Sequence, residues 1–103
     1  MMILLPVLAA SALIGSGNDL LAACVSDEGR RACNAMVLGV ANGAMLAAQD
    51  AHQKVICPRM GLRPEDLVAA VRKYLDAHPE TRSKPAPLLV YQALKDALPC
   101  PQG

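Results

Sequence analysis

The sequence predicts an all-α fold, a small disulfide-stapled domain of about four helices. Apolar residues recur at steps of three and four and nowhere alternate at period two for long. Four cysteines fall at or near the ends of those periodic segments. A chain of 103 residues leaves room for one core and not two.

The first helix is expected from about Asn18 to about Cys24, with Asn18 as N-cap and Asp19 in a first turn that favours negative charge. After the turn Ser26-Asp27-Glu28-Gly29 a longer central helix begins. Its stripe is Cys33, Met36, Val37, Val40, Ala44, Ala47, Ala48 and Ala51, and it ends near His52-Gln53-Lys54 ahead of Cys57-Pro58. Pro64, followed by Glu65 and Asp66, opens a third helix that turns Leu67, Val68, Val71, Tyr74 and Leu75 inward and stops at His78-Pro79. A polar loop spans 80–84. The last helix follows Ser83 or Lys84 and tolerates Pro85 and Pro87, because first-turn amides have no intrahelical partner. Its stripe is Ala86, Leu89, Val90, Ala93, Leu94 and Ala97, and it ends at Pro99-Cys100.

Residues 1–17, MMILLPVLAASALIGSG, are uncharged and too short an apolar run to span a bilayer, which takes roughly 20 residues. They read as an export signal, although no Lys or Arg precedes the run. Gly15-Ser16-Gly17 offers small residues for cleavage, and Ala10-Ser11-Ala12 offers the A-x-A form nearer the start than is usual. The expected division is a signal over 1–17 and a helical domain over 18–103. LLAAC, Leu20 to Cys24, also resembles the site at which a lipoprotein cysteine is acylated. Asn18 and Asp19 interrupt the apolar run that such a site needs, and acylation would leave Cys33 without a partner, so the stretch reads as a helix end carrying a half-cystine.

The chain has no Phe, no Trp and two Tyr, and much of its apolar content is alanine, so burial alone stabilises it thinly. Cross-links in an oxidising compartment are the natural remedy. Four cysteines allow three pairings. The helix order favours Cys24 with Cys33, across the turn between the first two helices, and Cys57 with Cys100, at the open ends of a hairpin formed by the last two. A zinc site is disfavoured because the paired C-x-x-C spacing is missing.

Ten basic and nine acidic residues are spread without blocks of one sign, which argues against nucleic acid as a partner. No cofactor is implied, and no membrane contact once the signal is removed. The residues suggest no enzyme: His52 and His78 are the only histidines, each at a helix end, and the acidic pairs Asp27-Glu28 and Glu65-Asp66 suit helix first turns. Gly39 and Gly43 stand out, because each costs roughly 1 kcal/mol in a helix interior relative to alanine. Their shared face admits close approach of another backbone, within the domain, in a dimer, or from a foreign partner beside Asn42. The loop bearing His78, Glu80, Arg82 and Lys84, flanked by proline and set between two helices, is a candidate probe into a partner's cleft.

Gly17-Asn18 through Leu21 and Cys24, Cys33 with Gly39-Val40 and Gly43, Cys57-Pro58, and the stretches ICPRMGLRPEDLVAAVRKYLDAHPE and LLVYQALKDALPC resemble the Rap/Tai family of immunity proteins. The resemblance covers essentially the whole of 18–103. Met36 stands where an aromatic is common in that family, Arg63 where a Thr N-cap is usual, and the interval from Cys24 to Cys33 is short. The resemblance implies an exported, periplasmic, all-helical protein of a Gram-negative bacterium, often a homodimer. It would bind and sterically block a peptidoglycan amidase delivered by a type VI secretion system. Two other readings stay open: a periplasmic stress or chaperone-like helical protein, and a structural subunit of an envelope complex.

Overall fold

The computed structural model describes residues 14–101. Four α-helices follow in chain order: α1 over Gly17–Val25, α2 over Arg30–Ala51, α3 over Pro64–Ala77 and α4 over Ala86–Ala97, with a 3₁₀ turn at Pro79–Thr81 between the last two. The described residues contain no strand, only a single antiparallel bridge between Ser16 and Pro85. Most of the export-signal expectation falls on residues 1–13, outside the described residues.

Helix α1 begins earlier than the Asn18 cap expected from sequence. Ser16 is the N-cap: its hydroxyl accepts the amide of Asp19, and the Asp19 carboxylate accepts the amides of Ser16 and Gly15 in return. The two amides between them are also taken. Gly17 donates to the carbonyl of Lys84 at 3.0 Å and Asn18 to that of Arg82 at 2.9 Å, after which Leu20 begins the regular ladder on the carbonyl of Ser16. All four donors that a helix start leaves without an intrahelical partner are thus satisfied, two of them by the loop before α4.

The turn into α2 is tight. The amide of Gly29 donates to the Ser26 hydroxyl at 2.9 Å, and that hydroxyl reaches the carbonyl of Ala23. A Cβ on Gly29 would fall 2.5 Å from the Cα of Ala23, so only glycine lets the two helices meet this closely. The sulfurs of Cys24 and Cys33 are bonded just inside this turn.

Helix α2 buries a narrower stripe than its sequence suggests. Cys33, Val37 and Ala41 are buried and Met36, Val40 and Ala44 pack against the core, but Ala47 and Ala51 are exposed. Steps of four residues advance about 40° around a helix, so the stripe rotates along its length, and the last turns stand clear of the core. Although α2 is long and apolar enough to cross a membrane by those measures alone, its buried stripe is packed on the other three helices. It closes on His52, whose left-handed backbone (φ 55°) directs its amide to the carbonyls of Ala48 and Gln49.

Pro64 is the first residue of α3, and Asp66 takes the amide of Arg63 at 2.9 Å. Arg63, an acceptor-free side chain, caps nothing itself; the third-position carboxylate does it. Val71 and Leu75 are buried, with Leu67, Val68 and Tyr74 packed at the edge of the core. Helix α4 starts at Ala86 with Pro85 as cap, one residue beyond the Lys84 entry. Of its expected stripe, Ala86, Leu89, Val90, Ala93 and Leu94 are buried and Ala97 is partly so. Beyond the helices, Ile56 and Leu98 complete the core where Cys57 is bonded to Cys100. Among the described residues no polar or charged side chain is buried.

Candidate functional site: the outer face of the second helix

Taking about 100° per residue, Gly39 and Leu46 lie roughly opposite Val37, and Asn42 and Gly43 flank them. All four are exposed, Leu46 at 67% of its surface. A Cβ added to Gly39 or to Gly43 would meet nothing within 4 Å. Close packing of these glycines inside the domain, one of the three uses considered above, is therefore overturned: the buried stripe uses the opposite side of the helix. What remains is a strip of small residues, broken by Leu46 and Asn42, presented to whatever lies outside the protomer.

The other sequence-selected group, the 78–84 loop, is bonded at nearly every step. Thr81 donates both its amide and its hydroxyl to the carbonyl of His78, Arg82 donates to Pro79, and Lys84 donates to Thr81. With the carbonyls of Arg82 and Lys84 receiving the start of α1, the loop is fixed to two elements at once. His78 is turned inward, where it holds the end of α3. Its Nδ1 lies 2.8 Å from the carbonyl of Tyr74, and its ring stacks on the Tyr74 ring with centroids 4.1 Å apart. Tyr74 in turn donates to the side chain of Gln92 on α4. Glu80 and Lys84 point outward and are exposed, whereas Arg82 is half-buried, with a covered Nε that meets no acceptor among the described residues. The loop is thus a stiff feature carrying one exposed acid and one exposed base.

Sequence periodicity gave no sign of a third feature. An open groove of about 620 Å³ runs along the end of α2, lined by Met45, Ala48, His52, Ile56 and Pro58 among others. Met45, on the wall of this groove, is the chain neighbour of Leu46 on the outer face of α2, and both are exposed. Its walls come from the last turns of α2 and from the segment after His52, where the backbone turns left-handed and the chain is then tied by Cys57 to Cys100. Neither feature follows from spacing alone.

The described residues bring together no group of His, Cys, Asp or Glu with metal-binding geometry. The ion pairs Arg30 with Asp27 and Arg63 with Glu65 and Asp66 are exposed and local to helix starts. Of the titratable groups, Asp19 is held below the ordinary aspartate value. The amide of Ser16 is the main cause, with the Gly15 amide and the Ser16 hydroxyl adding to it. That carboxylate serves the helix cap.

A family model described as Rap1a immunity proteins matches residues 16–100. No curated protein and no solved structure matches the chain.

Proposed function

The chain belongs to the Rap1a family of immunity proteins, and on that footing we propose that it acts in the periplasm, binding a peptidoglycan amidase delivered by a type VI secretion system and blocking it sterically. The protein contributes no chemistry of its own. Its two disulfides suit an exported protein, since such bonds persist in oxidising compartments.

The observation that carries the reading is the open outer face of α2. Two glycines four residues apart weaken a helix interior, and in this protomer they accommodate nothing. A partner surface that settles against Gly39, Asn42 and Gly43 gives the missing use for them, with Leu46 as an apolar anchor at the end of the strip. The 78–84 loop supports the same role as a second contact. Because its backbone is already fixed, inserting Glu80 and Lys84 into an enzyme's cleft loses little conformational entropy.

The test is capture with an activity readout. The tagged protein is purified from the periplasm of a Gram-negative host and presented with lysate of a toxin-producing relative. Stoichiometric recovery of a peptidoglycan amidase, inactive in the complex and active once released, supports the proposal. A folded, oxidised protein that retains no amidase rejects it, and capture of many unfolded clients on acidification points instead to a chaperone-like role.

A further inference from the structure

The segment 15–18, where a signal cut near Gly17 would fall, is built into the fold. The carbonyl of Gly15 accepts the amide of Ala86 at 2.9 Å, and the amide of Gly17 donates to Lys84, so the chain runs as a one-residue bridge against the entry to α4. Ser16 and Asp19 form the reciprocal cap of α1. Gly17 is buried against Leu89 and the backbone of Arg82, where an added Cβ would fall 2.4 Å from the Leu89 side chain. Ile14 packs against the edge of the core. Cleavage after Gly17 would remove all of this and leave a new ammonium at Asn18, at the positive end of the α1 dipole. The family match also begins at residue 16, inside the segment such a cut would discard.

We propose that the export signal is removed upstream of Gly15, at the bond between Ala12 and Leu13, so that the mature protein keeps the strap that joins α1 to α4. This rests on the reading of the chain as exported. Signal peptidases require small residues at the third and first positions before the cut; Ala10-Ser11-Ala12 supplies that A-x-A form, and although it lies nearer Met1 than is usual, a cut there spares the strap that a cut after Gly17 would remove. Water adds to the carbonyl of Ala12 and the amide bond breaks, giving a carboxylate on the released signal and an ammonium on Leu13. Leu13 and Ile14 then stand in sequence ahead of Gly15, so the strap 15–18 is kept whole.

The experiment is intact-mass analysis and N-terminal sequencing of the full chain expressed in a Gram-negative host, after separation of periplasm, membranes and cytoplasm. A periplasmic protein beginning at Leu13, with both disulfides formed, is the expected result. A periplasmic protein beginning at Asn18, or anywhere from 15 to 18, overturns the proposal while leaving the export reading intact, as does an uncut chain held in the membrane fraction. An uncut cytoplasmic chain with free thiols overturns both. Ala12→Leu, which places a large side chain next to the cut, is expected to accumulate precursor; normal processing of this variant at the same bond counts against the assignment. Mature chains beginning at Leu13 and at Asn18, each exported behind a foreign signal, separate the structural argument from the enzymology. The shorter is expected to melt at least about 4–8 °C lower. Equal melting temperatures overturn the claim that the fold needs the strap.

Discussion

The amide of Cys57 donates to the carbonyl of Leu98 at 2.9 Å, so the backbone is already paired two residues before the cross-link to Cys100 closes. Ile56 and Leu98 are buried at the same place. This disulfide therefore seals the base of the α3–α4 hairpin and attaches the segment after α2 to it. The two cross-links restrict the unfolded chain very differently, since one closes 43 residues and the other nine. Loop-closure entropy gives roughly 4 kcal/mol for the first and roughly 2.5 kcal/mol for the second. Replacing Cys57 and Cys100 together with serine is expected to lower denaturant stability more than replacing Cys24 and Cys33. Equilibrium urea unfolding of both double variants checks the order, and the reverse ranking would show that the turn at Gly29 depends on its cross-link more than chain entropy implies.

Gly29 and Gly17 are expected to resist even alanine. At Gly29 the obstacle is backbone, with the Cα and carbonyl of Ala23 both under 3 Å from an added Cβ, and the nine-residue disulfide loop prevents the helices from parting. Gly29→Ala is expected to cost about 1–3 kcal/mol, the range for overpacking a rigid site. At Gly17 the nearest atom is the mobile end of Leu89, with the backbone of Arg82 next at 3.1 Å, so Gly17→Ala is expected to cost less. Thermal melts of the two variants side by side decide this.

The cap of α1 makes stability depend on acid. Asp19 titrates below the ordinary aspartate value in the folded protein because the amides of Ser16 and Gly15 and the Ser16 hydroxyl favour its charged form. A carboxyl depressed by folding stabilises the native state above its unfolded value and ceases to as pH falls through the folded one. Asp19→Asn is therefore expected to lower the melting temperature at neutral pH, with the gap to the parent closing as pH is taken below the ordinary aspartate range. A gap that stays constant over that range would assign the effect to geometry rather than charge.

What is legible in the sequence is what periodicity and helix order encode. The α4 stripe from Ala86 to Leu94 can be read because that helix is buried along one unbroken face, and its two early prolines mark the start. The inward face of α3 is equally plain. The pairing of helices follows from chain order, and with it the neighbours available to each cysteine. The start of α1 is obscured because Ser16 and Asp19, a capping pair three apart, lie where a cleavage site is also expected. Ala47 and Ala51 read as inward because alanine is equally compatible with either face, and nothing in their spacing tells that α2 outruns the core. Ile56 and Leu98 lie outside any helix, so periodicity is blind to them. The intolerance at Gly29 depends on a distance to Ala23 that no local pattern expresses.

The outer face of α2 gives the most discriminating variants, because there stability and binding are expected to move in opposite directions. With open space around both positions, Gly43→Ala and Gly39→Ala should each stabilise the protein by about 0.5–1 kcal/mol through helix propensity, without any packing cost. If a partner's backbone settles on this strip, the same methyl groups hold it off. Gly39→Arg adds bulk that the protomer itself tolerates, so its melting temperature should stay close to that of Gly39→Ala while inhibition of the captured amidase is lost. Lys84→Glu and Glu80→Lys, both exposed and outside the core, test the loop separately by the salt dependence of association. A Gly39→Arg protein that is stable and still inhibits at full strength would move the binding surface off the outer face of α2, to the 78–84 loop if the charge reversals weaken the complex, or to the Met45 groove at the end of the helix if they do not.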